Sequence, residues 1–151
     1  MKKKILVTGG TGFIGKNFIK FLLKKKIFQI YSLSTTKVRK DLKEKNVNYI
    51  NCRLENKDLL KKKIKNNFDY IVNFAGYIDH SNFKETFSSH YIGLKNLVKT
   101  IKYDNLKKFI QIGSSVEYGF SNSPQKETLN INISKLKSIY GKSKLKSTYF
   151  L

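Results

Sequence analysis

The chain has 151 residues, a formal net charge of +21, one cysteine, Cys52, and one proline, Pro124. That length suits one domain with a core of its own and excludes two of ordinary size. No segment approaches the ~20 apolar residues of a membrane span, and a lone cysteine excludes an intramolecular disulfide and points to a reducing, cytoplasmic setting. Met1-Lys2-Lys3-Lys4 imitates the charged start of a secretory signal. The apolar stretch behind it stops after a few residues, so no cleavable signal is expected. The charge itself raises the question of a nucleic-acid partner. Lysine far outnumbers arginine, as an AT-rich coding sequence would produce, and runs such as 24–26 and 61–63 fall at helix ends or on polar faces. Cations there complement the helix dipole. Aromatic residues are not interleaved with them for base stacking, so no specific nucleic-acid partner is expected.

Taken in order, Lys4 to Val7 reads as a buried strand, followed at once by Val7-Thr8-Gly9-Gly10-Thr11-Gly12-Phe13-Ile14-Gly15. Glycines at 9, 12 and 15 let the backbone turn sharply into a helix, leave room for a pyrophosphate, and let the helix pack against the strand. Phe13, Ile14, Phe18, Ile19, Leu22 and Leu23 give the next segment an apolar helical stripe, the context a dinucleotide loop needs. Gln29 to Leu33 is a second strand and Lys37 to Lys45 a charged segment. Asn48 to Cys52 is a third strand, with Cys52 as a buried strand residue. A lysine-rich helix follows around Leu59 to Ile64, then a fourth strand at Tyr70 to Phe74. Phe83 to Tyr103 has helical periodicity, with Tyr91, Leu94, Leu97, Val98 and Ile101 on one face. Phe109 to Ile112 is a fifth strand, Phe120 to Lys135 a long mixed loop of a kind usually functional or mobile, and a last helix starts near Ser138. Strands alternating with such helices predict an α/β fold: a Rossmann-type doubly wound parallel sheet in a single domain over 1–151, with its ligand crevice at the carboxyl ends of the strands.

Three further features fall at those ends. Asn73-Phe74-Ala75-Gly76 puts small residues where the backbone must pass close to a cofactor. Gly113-Ser114-Ser115-Val116-Glu117-Tyr118-Gly119 follows the fifth strand. Tyr140-Gly141-Lys142-Ser143-Lys144 places Tyr140 and Lys144 one turn apart on the same helix face. A phenol is a poor base at neutral pH, and a nearby ammonium favours its phenolate form. A serine hydroxyl can hold the substrate oxygen while the phenol exchanges its proton and a nicotinamide exchanges hydride.

With these motifs in place the chain resembles the extended short-chain dehydrogenase/reductase family, NAD(P)-dependent epimerases, dehydratases and reductases acting mainly on nucleotide sugars. The signature is TGGTGFIG at 8–15, NFAG at 73–76, SSVEYG at 114–119 and YGKSK at 140–144. The resemblance implies Tyr140 as acid/base, Lys144 as the residue that binds the nicotinamide ribose and favours the phenolate, and Ser114 as the substrate-orienting hydroxyl. It implies cofactor contacts from Gly9, Thr11, Gly12, Phe13, Ile14, Gly15, Ala75 and Lys144. Its long-helix pair implies a homodimer.

The departures narrow this reading. Family dehydratases carry an Asp-Glu pair where this chain has Ser115 and Val116, which disfavours water elimination and leaves an epimerase or keto-reductase. Glu117 is not expected to substitute, since alternation turns it elsewhere. The second strand ends Leu33-Ser34-Thr35-Thr36-Lys37-Val38-Arg39, with no acid until Asp41; an acid there would accept the ribose hydroxyls of NAD. Ser34 and Lys37 suit a 2′-phosphate instead, so NADP is favoured over NAD. Arg53 stands where the family places an acid near adenine, and His90 where it has asparagine, as a solvated or partly packed helix residue without a catalytic role. The family continues beyond the Tyr-Lys helix into a further strand and a substrate domain. The expectation is therefore a sheet incomplete at its carboxyl-terminal end, in a truncated form of the enzyme. The alternative is a non-catalytic NADP-binding or interaction module, completed by a second polypeptide.

Overall fold

The computed structural model describes residues 2–120, 124 and 130–151. Residues 121–123 and 125–129 of the expected long loop, and Met1, lie outside the described residues. Five strands, β1 (Lys3–Thr8), β2 (Phe28–Ser34), β3 (Val47–Asn51), β4 (Tyr70–Asn73) and β5 (Lys108–Gln111), form one sheet in the order β3-β2-β1-β4-β5. Every pairing is parallel. The chain winds outward from β1 to β3 and then returns to β4 on the other side of β1. The switch point of the doubly wound sheet therefore lies between β1 and β4, where such folds open a crevice.

Both faces of the central strands are covered, which is why β1 and β4 read as apolar runs rather than alternations. At the edge, β5 alternates exposed and half-buried residues. On one face α1 (Phe13–Lys25) lays Ile19 and Leu22 over Ile5, Val7, Ile30 and Val72. On the other, Leu60 of α2 (Lys57–Lys63) and Leu97 of α4 (Gly93–Thr100) pack with Leu6, Leu33, Phe68 and Ile71. The α1 stripe is narrower than the sequence suggested. Phe13 and Ile14 are 86% and 59% exposed, because the first turn projects past the end of the sheet into the crevice. Lys24–Lys26 and Lys61–Lys63 are exposed, as expected of solvated helix ends. Among the described residues no helix is long and apolar enough to cross a membrane.

The single helix expected over Phe83 to Tyr103 is three segments: α3 (Phe83–Phe87), a π-helical turn at Ser88–Ile92 and α4. The wider turn keeps Leu94, Leu97 and Ile101 in the core and also turns His90 inward. The last helix, α5 (Ile139–Phe150), starts where expected, next to Ser138, whose Oγ caps it by accepting from Gly141 N–H at 3.0 Å. It packs against α3 and the π turn. At the amino ends of the central strands Asp69 is a clip. Its carboxylate accepts from Lys4 N–H at 2.8 Å and its carbonyl accepts from Lys107 N–H at 2.8 Å. At the carboxyl ends a polar row does the same: Thr8 Oγ1 donates to Asn73 Oδ1, and Asn73 Nδ2 donates to Gln111 Oε1 at 2.6 Å. The strand ends that flank the crevice are thus tied across β1, β4 and β5.

Candidate functional site

The crevice lies at the switch point and has a volume of about 580 Å³. Its floor is the glycine loop. Gly9 has φ +66°, and a Cβ there would lie 2.9 Å from Ala75 N. At Gly15 a Cβ would lie 2.3 Å from Gly9 O, so the helix packs against the loop as closely as a missing side chain allows. Gly12 differs: its φ is −71°, and a Cβ would meet only Gly9 O, at 3.3 Å. Space is therefore reserved at Gly12 on the crevice side. As N-cap of α1, Gly12 offers no side chain to the first-turn amides, and these are left to the crevice. The loop forms the shape that a pyrophosphate occupies, with the positive end of the helix dipole behind it.

Of the sequence candidates, Gly9, Thr11, Gly12, Phe13, Ile14, Gly15, Ser34 and Ala75 all line this crevice. Lys37 lines an adjoining cavity of about 260 Å³ with Lys16, Arg39, Glu44 and Tyr49. Thr11 and Thr36 line both cavities. Two of the polar groups already have partners. Ser34 Oγ donates to Thr36 O at 3.2 Å, and Arg39 Nη2 binds Asp41 at 2.7 Å, which holds the Asp41 carboxyl below the usual range. Arg53 lines the crevice and is paired with Glu85 of α3 and with Glu55 at 3.6 Å. Cys52 is buried just past the end of β3, and burial pushes its thiol up.

The other end of the crevice is walled by Gly76, Tyr77, Ile78 and Ser89. Ser114, Tyr140 and Lys144 are not among the residues that line the crevice. Tyr140 of α5 reaches its wall through His90, which contacts both the Tyr140 ring and Tyr77 O. Lys144 is 5% exposed, and its Nζ donates to the carbonyl of Ile112, two residues before Ser114. Burial pushes the Lys144 ammonium down, and the charge of Glu117 opposes that push. Gly141 backs onto Val116, where a Cβ would lie 3.0 Å from Val116 O. The chain on both sides of Ser114 thus packs on the turn of α5 that carries Tyr140 and Lys144.

Two residues that sequence reasoning set aside belong to this region. Glu117 is buried, not turned away: it sits in a 3-10 turn at Ser115–Tyr118, where strand alternation does not apply. The Ser114-x-x-Glu117 spacing, a helix-start pattern, was the signal for it. His90 is also buried, with Nε2 3.1 Å from Tyr77 O and its ring edge-on to that of Tyr140 at 5.0 Å. Burial lowers its pKa to about 4, against the Tyr77 contact and with the charge of Lys144 acting in the same direction, so the ring is neutral at pH 7.

A parallel sheet wound both ways from β1, with a glycine loop opening onto its switch point, defines a Rossmann-type nucleotide fold. The chain belongs to the NAD dependent epimerase/dehydratase family, whose pattern matches residues 5–151. It is 31% identical over 131 residues to a dTDP-D-glucose 4,6-dehydratase of Dictyostelium discoideum, covering 78% of this chain and 30% of that protein. It is also 31% identical over 133 residues to a bifunctional UDP-glucose 4-epimerase and UDP-xylose 4-epimerase of Pisum sativum, covering 78% and 38%. Among solved structures, the UDP-Glc/GlcNAc 4-epimerase of Campylobacter jejuni matches with a TM-score of 0.83 and 27% identity, over 98% of this chain and 47% of that one. The dTDP-glucose 4,6-dehydratase of Bacillus anthracis, solved with NAD, matches with a TM-score of 0.76 and 26% identity, over 98% and 49%. The chain spans less than half the length of these curated relatives and about half that of the solved chains.

Proposed function

We propose that this chain carries the cofactor site and the acid/base group of an NAD(P)-dependent epimerase or keto-reductase acting on a nucleotide sugar. What supports this reading is the glycine loop lining the crevice, together with a Tyr-Lys helix turn outside that lining, whose Tyr140 ring meets His90, the residue in contact with Tyr77 of the crevice wall. Gly9, Thr11, Gly12, Phe13, Ile14 and Gly15 would hold the pyrophosphate. Ser34 and Lys37 would face the adenosine ribose, and Ala75 the passing backbone side of the cofactor. A bound nicotinamide dinucleotide supplies hydride transfer to or from a sugar carbon.

The remaining steps belong to the protein. Tyr140 Oη takes the proton of the sugar hydroxyl as that carbon is oxidised and returns it to the carbonyl oxygen on reduction. Lys144, whose charge Glu117 supports, would bind the nicotinamide ribose. Ser114 Oγ donates to the reacting oxygen and fixes its position. Ser115 and Val116 provide no acid pair for water elimination, so the proposal is epimerisation or reduction, although dehydratases are among the relatives.

For the cofactor, NADP is favoured over NAD. The smaller cavity adjoins the Ser34 end of the crevice and presents Lys16 and Lys37, while the nearest acid after β2, Asp41, is engaged by Arg39. Fluorescence titration with NADPH and NADH tests this, and tighter NADH binding would overturn it. Turnover of a 4-keto nucleotide sugar tests the rest. The expected result is turnover that disappears in Tyr140→Phe; cofactor binding with no turnover in the parent would instead favour a non-catalytic binding module.

A further inference from the structure

Tyr140 is held by two imidazoles from distant parts of the chain. His80, in the segment between β4 and α3, lies flat on the phenol ring, with centroids 3.9 Å apart and planes 12° apart. His90, from the π turn, meets the same ring edge-on at 5.0 Å and 68°. The two imidazoles are themselves 5.8 Å apart. A face contact and an edge contact together define the plane of the phenol.

Neither imidazole is loosely placed. His90 is locked by its contact with Tyr77 O and by Gly76, where a Cβ would lie 2.1 Å from His90 Cε1. His80 is exposed, but the segment bearing it is pinned on both sides. Tyr77 N–H donates to Ser89 Oγ at 2.9 Å. Ser81 donates to Asp79 Oδ1 from both N, at 3.1 Å, and Oγ, at 2.6 Å. Asn82 Oδ1 caps α3 by accepting from Glu85 N–H at 3.1 Å. A ring presented by so constrained a backbone leaves its partner few alternatives.

We propose that His80 is a positioning residue for Tyr140, stacking on its ring to hold the phenol in the orientation that proton transfer requires. The proposal rests on Tyr140 being the acid/base, as argued above. His90 forms the fixed wall and His80 the removable one. Acid/base efficiency depends on geometry first, and a phenol in the first turn of a helix with one face uncovered samples rotamers that carry its hydroxyl away from the substrate oxygen.

The test compares His80→Ala with His80→Phe in the full chain, with folding monitored by the denaturant midpoint. Tyr140 ring resonances, assigned by their loss in Tyr140→Phe, are expected to move downfield in His80→Ala as the imidazole ring current disappears. In turnover, kcat is expected to fall about three- to tenfold with KM unchanged, the range a lost aromatic pair accounts for. His80→Phe, which keeps a stacked ring without its nitrogens, is expected to restore kcat. Unchanged Tyr140 resonances in His80→Ala would overturn the stack. Shifted resonances with kcat equal to or above the parent's would overturn the positioning role. Turnover that survives Tyr140→Phe would sink the acid/base reading instead and leave the resonance result standing.

Discussion

Ser114 and Glu117 close a reciprocal pair of hydrogen bonds: Ser114 N–H donates to Glu117 Oε1 at 2.7 Å, and Glu117 N–H donates to Ser114 O at 3.1 Å. Thr148 of α5 donates to the other carboxylate oxygen, Oε2, at 2.6 Å. One buried carboxylate thus fastens the turn after β5 to the helix that carries Tyr140 and Lys144. Glu117→Ala is expected to lower unfolding free energy by about 2–3 kcal/mol, the scale of losing charge-assisted bonds to a buried group. Glu117→Gln keeps an acceptor and a similar volume and should cost less, but it removes the charge that supports the Lys144 ammonium. Denaturant titration of both variants checks the first point. A pH–turnover profile of Glu117→Gln checks the second, with its alkaline limb expected to move down.

The glycine loop separates packing from binding. Gly12→Ala places a methyl group on the crevice side, 3.3 Å from Gly9 O, a contact relieved by a shift of a few tenths of an ångström. Its φ of −71° suits any residue, so its cost in stability should be well below that of Gly15→Ala. Dinucleotide affinity should fall about tenfold or more, or at least ~1.4 kcal/mol, by calorimetric titration. Gly15→Ala meets Gly9 O at 2.3 Å, and backbone cannot swing aside as a side chain can. It should destabilise the fold by about 1–3 kcal/mol, as overpacking does. If both substitutions cost the same stability, Gly12 has a packing role and its open side is not reserved for a ligand.

Lys37 carries the cofactor preference. Lys37→Glu should weaken NADPH about tenfold, the scale of one charged hydrogen bond, and leave NADH within about twofold. Arg39→Ala should do less, because Asp41 already neutralises that guanidinium through two contacts at 3.1 and 2.7 Å. Equal loss of both cofactors in Lys37→Glu would assign Lys37 a general electrostatic effect in a chain of net charge +21.

Much of this was legible because it rests on local rules. β1 and β4 at the centre of the sheet are buried apolar runs, while the edge strands β3 and β5 are half-buried and were marked by shorter apolar stretches. The last helix was expected to start near Ser138, which is the N-cap of α5. The glycine loop carried its own spacing. What escaped were placements set by tertiary packing. Phe13 and Ile14 follow the helical period yet project past the sheet, and periodicity does not report where a sheet ends. The π turn at Ser88–Ile92 breaks a stripe that looks continuous, because one extra residue per turn shifts the register only locally. That shift is what turns His90 inward, and no local pattern links positions 80, 90 and 140. Glu117 was legible in principle through its spacing from Ser114, but a strand alternation was extended into a segment that is a turn.

His90 gives the fold a pH dependence of defined sign. Its folded-state pKa is lowered to about 4 from an ordinary 6.5, chiefly by burial. Between those values the unfolded chain binds a proton at this position that the folded chain refuses, so stability rises with pH across the window and is level above it. A shift of that size corresponds to roughly 3 kcal/mol at most. The lost stability appears as pH falls from about 6.5 toward 4. Asp69 contributes in a separate range: its carboxyl is held low mainly by Lys4 N–H, so its share is lost only on acidification below the ordinary aspartate value. Unfolding free energies measured at several pH values should therefore slope upward from pH 4 to 6.5. His90→Asn, which cannot titrate, should flatten that slope while lowering stability at pH 7 through the cavity it leaves beside Tyr140. An unchanged slope in His90→Asn would mean that His90 takes up its proton alike in the folded and unfolded chain, and that burial beside Tyr140 does not lower its pKa.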